Sequence, residues 1–248
     1  MRIFALVFSL LIIVSCKVKQ ISDYNGVNYP ISDTTFASND LDSLIQPYKV
    51  EMESKMDKII GVAEEDLIKY TPESPLGNFV ADVVFNAGFG YGLKNENLAF
   101  SKSNTLCLLN FGGLRAPINK GDITIGNVYE LMPFDNEIVI VSLSPSQVKE
   151  MLVYLFIKHG QPISNAVVLL SSDKQKLDIG GKAYNFEKDI YVITSDYLAK
   201  GGDKMNFFKS SKMIQTGTLM RDALLNHVKT KKTIPFYDVE GRIQFIKE

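Results

Sequence analysis

Apolar residues recur along this chain in two ways, at helical spacing and as short unbroken runs. Ser74 and Pro75 precede Leu76, Phe79, Val80, Val83, Val84 and Ala87, which fall on one face of a helix running to Gly88; serine caps a helix and proline fits its first turn. Residues 144–159 repeat the design: Ser144 and Gln147 form a capping-box pattern, and Val148, Met151, Leu152, Leu155 and Phe156 make the buried stripe. A last helix is predicted over 219–228. Leu41, Leu44, Ile45 and Tyr48 also recur at near-helical spacing, predicting a helix that continues to Met56 and is interrupted at Pro47. Apolar and β-branched runs predict strands at 59–62, 105–109, 137–143, 166–170, 189–194 and 242–246. The two kinds of element mix without a regular βαβα alternation, so the expected fold class is α+β, a mixed β-sheet layered with helices.

The first residues, MRIFALVFSLLIIVSC, stand apart. Their apolar run is too short to span a bilayer as a mature helix and has the length of a signal-peptide core. Ile13-Val14-Ser15-Cys16 resembles a bacterial lipobox, so residues 1–16 are expected to be a leader ending at a lipidated Cys16. The product would be exported to the bacterial cell envelope and lipid-anchored to a membrane. Residues 17–39, rich in Ser, Asp, Asn and Thr, read as a flexible tether, and 40–248 as the folded domain. With an export signal directly before that domain, the chain is expected to be a complete exported product. At 248 residues and 46% apolar content the chain can build a sizeable core, and its net charge of -1 gives no global attraction to nucleic acid. Cys107, inside an apolar strand, is expected to be a buried thiol without a disulfide.

Candidate chemistry gathers in two stretches. In residues 110–136 a strand runs out into Asn110, Phe111, Gly112 and Gly113, Arg115 follows, and the stretch closes on Pro133-Phe134-Asp135-Asn136. In residues 195–208 another strand ends, Tyr197 follows, and Gly201-Gly202 leads to Asp203. Should the strand ends lie side by side, Phe134 and Tyr197 can face one another across a gap one ring thick. That is a slot for a nucleobase, worth about 1–3 kcal/mol per stacked base. Asp203 would accept hydrogen bonds from sugar hydroxyls and Arg115 would pair with phosphate. Each feature alone is also ordinary, since a Gly-Gly-Asp turn is commonly only a turn and a Phe is commonly core.

In order and spacing, SPLGNFVADVV, LLNFGGLRAPI, ITIGNVYELMPFDNEIVIVSLS, YVITSDYLAKGGD and VEGRIQF together resemble the C-terminal domain of the 5′-nucleotidase family, from about Lys49 to the end. The resemblance implies an α/β/β/α substrate-recognition module whose partner domain is a two-metal phosphoesterase. Carried over onto this sequence, Asn110 would contact the base, Arg115 the phosphate, and Phe134 and Tyr197 would clamp the base. Asp203 would bind the ribose, with Gly112, Gly113 and Gly202 shaping the turns. The sequence departs from the family's pattern at three places. Phe111 replaces a glycine in the first turn, where it would narrow the approach or add an apolar wall. Tyr197 stands where Phe is usual and keeps the stacking face, and Thr71-Pro72-Glu73 stands where some members carry an Arg, whose loss would favour nucleoside over nucleotide or weaken phosphate binding.

The phosphoesterase half is missing from the pattern. A two-metal centre needs several imidazole and carboxylate ligands, whereas this chain has two histidines, His159 and His227, neither in a D-x-H or G-N-H setting. Both are expected to be structural. The chain is therefore expected to bind no cofactor itself, with divalent metals only on a partner. It reads as the nucleoside- or nucleotide-recognition component of a 5′-nucleotidase, acting with a separate metallophosphoesterase chain. The alternatives left open are a stand-alone nucleoside- or nucleotide-binding lipoprotein without catalysis, and a relic domain kept for its fold.

Overall fold

The computed structural model describes residues 26–28, 39–95 and 99–246. The predicted leader and Cys16 lie outside the described residues, as does the tether apart from residues 26–28 and 39. By its contacts the chain divides after Pro47, and the architecture below is that of Tyr48–Glu248. Helix α1 (Asn39–Met56) crosses that division and runs through Pro47, which does not break it; Lys49–Glu53 and Lys55–Glu51 pairs at i,i+4 spacing support its second half. Among the described residues no helix is long and apolar enough to cross a membrane.

The remaining helices are α2 (Pro75–Leu93), α3 (Ile125–Leu131), α4 (Pro145–Ile157), α5 (Asp196–Ala199) and α6 (Met220–Lys231). The strands are β1 (Ile59–Ala63), β2 (Thr105–Leu108), β3 (Gly121–Thr124), β4 (Glu137–Leu143), β5 (Ile163–Ser164), β6 (Ala166–Leu170), β7 (Gln175–Ile179), β8 (Lys182–Ala183), β9 (Ile190–Ser195), β10 (Met213–Leu219), β11 (Thr233–Ile234) and β12 (Ile243–Phe245). They form a central five-stranded sheet, β10-β4-β9-β2-β5, flanked by β11-β1-β3 and β12-β6-β7-β8. All three sheets contain both parallel and antiparallel pairs, so the expected α+β class with mixed sheets is what the chain adopts.

Strand alternation explains why the central strands read as unbroken apolar runs. Cys107, Ile138, Ile140 and Ile193 face one core, shared with α2, α6 and the β11-β1-β3 sheet. Leu106, Leu108, Val139, Val141 and Val192 face a second, shared with α4 and the four-stranded sheet. Both faces are covered, so no polar alternation survives in these strands. Each fully buried Leu or Ile contributes about 1.5–3 kcal/mol.

Ser74 caps α2 as expected, accepting from the Gly77 amide at 3.1 Å, but Gly88 does not end the helix. It is instead where α2 approaches the sheet, since a Cβ there would lie 2.6 Å from Ile193 Cγ2. The Ser144–Gln147 capping box opens α4 as predicted, while the helix closes at Ile157, with His159 and Gly160 both at positive φ. The C-terminal helix extends three residues beyond the predicted 228, to Lys231. Cys107 is fully buried and its thiol is pushed well above its usual pKa, chiefly by burial.

Candidate functional site

Sheet register brings the two stretches together. β2 and β9 run parallel, with Cys107 opposite Ile193, so Asn110 and Tyr197 both emerge from the same end of the sheet. β4 is antiparallel to β9, with Ile138 opposite Ser195, so the turn carrying Phe134 reaches the same end from the other side. Asp196 fastens the junction, its Oδ1 accepting from the Glu137 amide at 3.1 Å. Ligands of α/β sheets commonly lie beyond the carboxyl ends of parallel strands, where loops diverge.

A cavity of about 430 Å³ opens there, lined by Asn110, Gly112, Gly113, Arg115, Phe134, Asn136, Tyr197 and Asp203. Phe134 and Tyr197 are 49% and 45% exposed, so both rings offer a free surface rather than core packing. No ring contact joins the two to each other among the described residues. Gly202 does not line the cavity; it lies beneath Tyr197, where a Cβ would come within 2.5 Å of the ring.

The polar groups form one set. Asn110 Nδ2 donates to Asp203 Oδ2, and Tyr197 Oη donates to Asp203 Oδ1 at 3.0 Å. Tyr154 Oη donates to the Asp203 carbonyl at 3.1 Å, and burial, reinforced by Asp203 and Tyr197, pushes the Tyr154 phenol up to about 12, so it stays a donor at neutral pH. Gly201, Asp203 and Lys204 all adopt positive φ, at 90°, 49° and 66°. Backbone of this kind costs energy in non-glycine residues and persists where surrounding contacts fix it. Arg115 is exposed; its Nη1 donates to the Gly112 carbonyl at 3.3 Å and leaves the rest of its fork directed to no carboxylate among the described residues. Lys69 lies nearby, donating to the Leu114 and Phe111 carbonyls at 2.7 and 3.3 Å.

Two expectations change. Phe111 neither narrows the cavity nor walls it, because its ring is buried in the core beside Gly77 and its amide donates to Gln161 Oε1 at 2.8 Å. Glu73, in the 71–73 segment, is buried and structural: it accepts from Asn78 Nδ2, and from the amides of Glu240 and Arg242, at 2.7, 2.9 and 2.7 Å. Sequence reasoning missed Asn136, although it closes the first stretch, and missed Tyr154, which comes from a distant element and carries no local signal. His159 packs on Phe245 and His227 meets Phe79 edge-on, and no group of three or more His, Cys, Asp or Glu among the described residues is placed to hold a metal ion.

Residues 59–186 match the family described as 5′-nucleotidase, C-terminal domain. Over 243 residues the chain is 32% identical to the trifunctional nucleotide phosphoesterase protein YfkN of Bacillus subtilis (strain 168), covering 87% of this chain and 16% of that protein. It is 27% identical over 228 residues to the apyrase of Anopheles gambiae, covering 83% of this chain and 38% of the apyrase. The 5′-nucleotidase precursor from Thermus thermophilus shares its fold, with a TM-score of 0.67 at 23% identity, over 84% of this chain and 43% of the other. The chain thus spans less than half the length of each of these proteins.

Proposed function

Since this chain belongs to the 5′-nucleotidase C-terminal-domain family, we propose that it is the nucleoside- or nucleotide-recognition component of a 5′-nucleotidase. One observation carries the reading: two half-exposed rings, an amide, a carboxylate and a guanidinium converge on a single cavity at the sheet's end. A base stacked on Phe134 and Tyr197 gains about 1–3 kcal/mol. Asp203 accepts from ribose hydroxyls while keeping its bonds to Asn110 and Tyr197, because a carboxylate has about four acceptor positions. Arg115 presents a planar donor fork to phosphate.

Among the described residues no cluster fits a two-metal centre, whose ions need several imidazole and carboxylate ligands together. In this reading the phosphoesterase centre and its divalent ions belong to a separate chain that docks with this one. The leader would direct export and a lipidated Cys16 would tether the assembly to the bacterial envelope. Labelled palmitate is then expected to enter the wild-type protein and not the Cys16→Ser variant, and equal labelling of both would remove the anchor.

Calorimetry with adenosine and with AMP tests the recognition role. Heat of binding is expected, with affinity lowered about tenfold by Phe134→Ala, and the chain alone with Mn²⁺ is expected to leave AMP intact. No heat with any nucleoside overturns recognition; chelator-sensitive phosphate release by the chain alone overturns the two-chain arrangement.

A further inference from the structure

The turn that presents Phe134 is gripped by a side chain that lines no part of the cavity. Arg221 sits in the first turn of α6, and its guanidinium is buried. Nη1 donates to the carbonyls of Pro133 and Met132 at 3.1 and 3.4 Å, and Nη2 donates to the Asp135 carboxylate. The guanidinium carbon lies 4.2 Å from the centre of the Tyr129 ring. One residue earlier, the Met220 amide donates to the Asn136 carbonyl at 2.9 Å. Residues 132, 133, 135 and 136 are therefore all held from α6, and Phe134 is the member of the turn left ungripped.

Helix stability does not account for an arginine at this position. The first turn of a helix is the positive end of its dipole, where a cation is unfavourable. The cost is compounded by Nε, which is buried with no hydrogen-bond partner among the described residues. What the arrangement secures is geometry. A ring that must remain half exposed to receive a ligand has too little packing of its own to fix its direction, so it has to be fixed through its backbone.

We propose that Arg221 is the positioning residue of the Phe134 face: by holding the 132–136 turn it sets the angle and depth at which that ring meets a base, and so governs affinity without touching the ligand. The proposal rests on the recognition role given above to the cavity. Asp135 takes part because its carboxylate supplies the turn's charged anchor for Arg221.

The chain contains no tryptophan, so Phe134→Trp places a single indole reporter on the face in question. In that background Arg221→Met, which removes the donors and keeps most of the volume, is expected to lower the indole's fluorescence anisotropy and to raise its quenching by acrylamide at least twofold. In the natural background the same change is expected to weaken adenosine binding about tenfold. Circular dichroism and thermal melting, run alongside, establish that the fold is intact. An indole equally ordered with and without the arginine overturns the proposal, as does unchanged adenosine affinity in folded Arg221→Met. If Arg221→Met fails to fold, Asp135→Asn supplies the reading, since the Asp135 side chain is 75% exposed and tolerates change. A smaller shift in the same direction is expected there, and no shift in either measurement overturns the proposal. The indole signal needs no ligand, so loss of the recognition role itself is told apart as an ordered indole that adenosine does not perturb.

Discussion

At residue 197 a hydroxyl makes bonds that a phenyl ring cannot. Tyr197 Oη donates to the Asp203 carboxylate and accepts from the Asp203 amide at 3.2 Å, which pins that residue in its left-handed conformation. The ring can lie that close only because position 202 has no side chain: a Cβ there would fall 2.5 Å from Tyr197 Cζ. Gly202→Ala is therefore expected to push the ring off its seat, costing about 1–3 kcal/mol as other overpacking substitutions do, and to weaken adenosine binding about tenfold. Thermal melting and calorimetry on the one variant measure both, and unaltered affinity would mean that the ring's position is not set by this glycine. Most of the cavity's lining was legible residue by residue, because glycine pairs, a following cation or carboxylate and a nearby aromatic are local signals. Phe111 was not, since the direction in which a turn residue points is decided by partners such as Gln161 and Gly77 that lie far along the chain.

Elements were legible where a single run of sequence carries both the pattern and its punctuation. Ser74 and Pro75 open α2, and Ser144, Pro145 and Gln147 open α4. β4 and β9 announce themselves as apolar runs because both of their faces are buried. The strands that escaped prediction are short or half exposed: β10, MIQTGTL, is an edge strand that pairs with β4 through a register shift and shows no clean alternation. The end of α2 escaped for another reason. A glycine in an apolar stripe ordinarily reads as a stop, yet Gly88 and Gly92 are contact points where the helix nears Ile193 and Phe100. For the site the consequence is specific. The pairing of β4 with β9 is what sets Phe134 and Tyr197 on one cavity, and α6 is what steadies the first of them; neither relation is written in the sequence near those residues.

Across the whole molecule, the central sheet separates two cores, and a polar clasp joins elements that belong to different ones. Arg242, just before β12, donates twice to Asp82 on α2, at 2.7 and 2.9 Å, once to Glu240 at 2.9 Å and once to the Ile163 carbonyl at 2.9 Å. Ser164 adds a bond to Asp82, and Glu73, ahead of α2, takes the amides of Glu240 and Arg242. The closing segment of the chain is thus locked to the opening helix of the other core by charged groups, of which Arg242 and Glu73 are buried, Asp82 is partly buried and Glu240 is exposed. Such a cluster is most sensitive to losing one member, because the partners left behind remain desolvated and uncompensated. Arg242→Met is expected to lower stability by about 3 kcal/mol, read as a fall in the urea midpoint at unchanged m-value. Adenosine affinity in the folded fraction is expected to be retained, since the groups Arg242 bonds to line no part of the cavity. A loss below about 1 kcal/mol, the scale of an exposed ion pair, would show that apolar packing alone holds the closing strand and that the clasp is incidental to the fold.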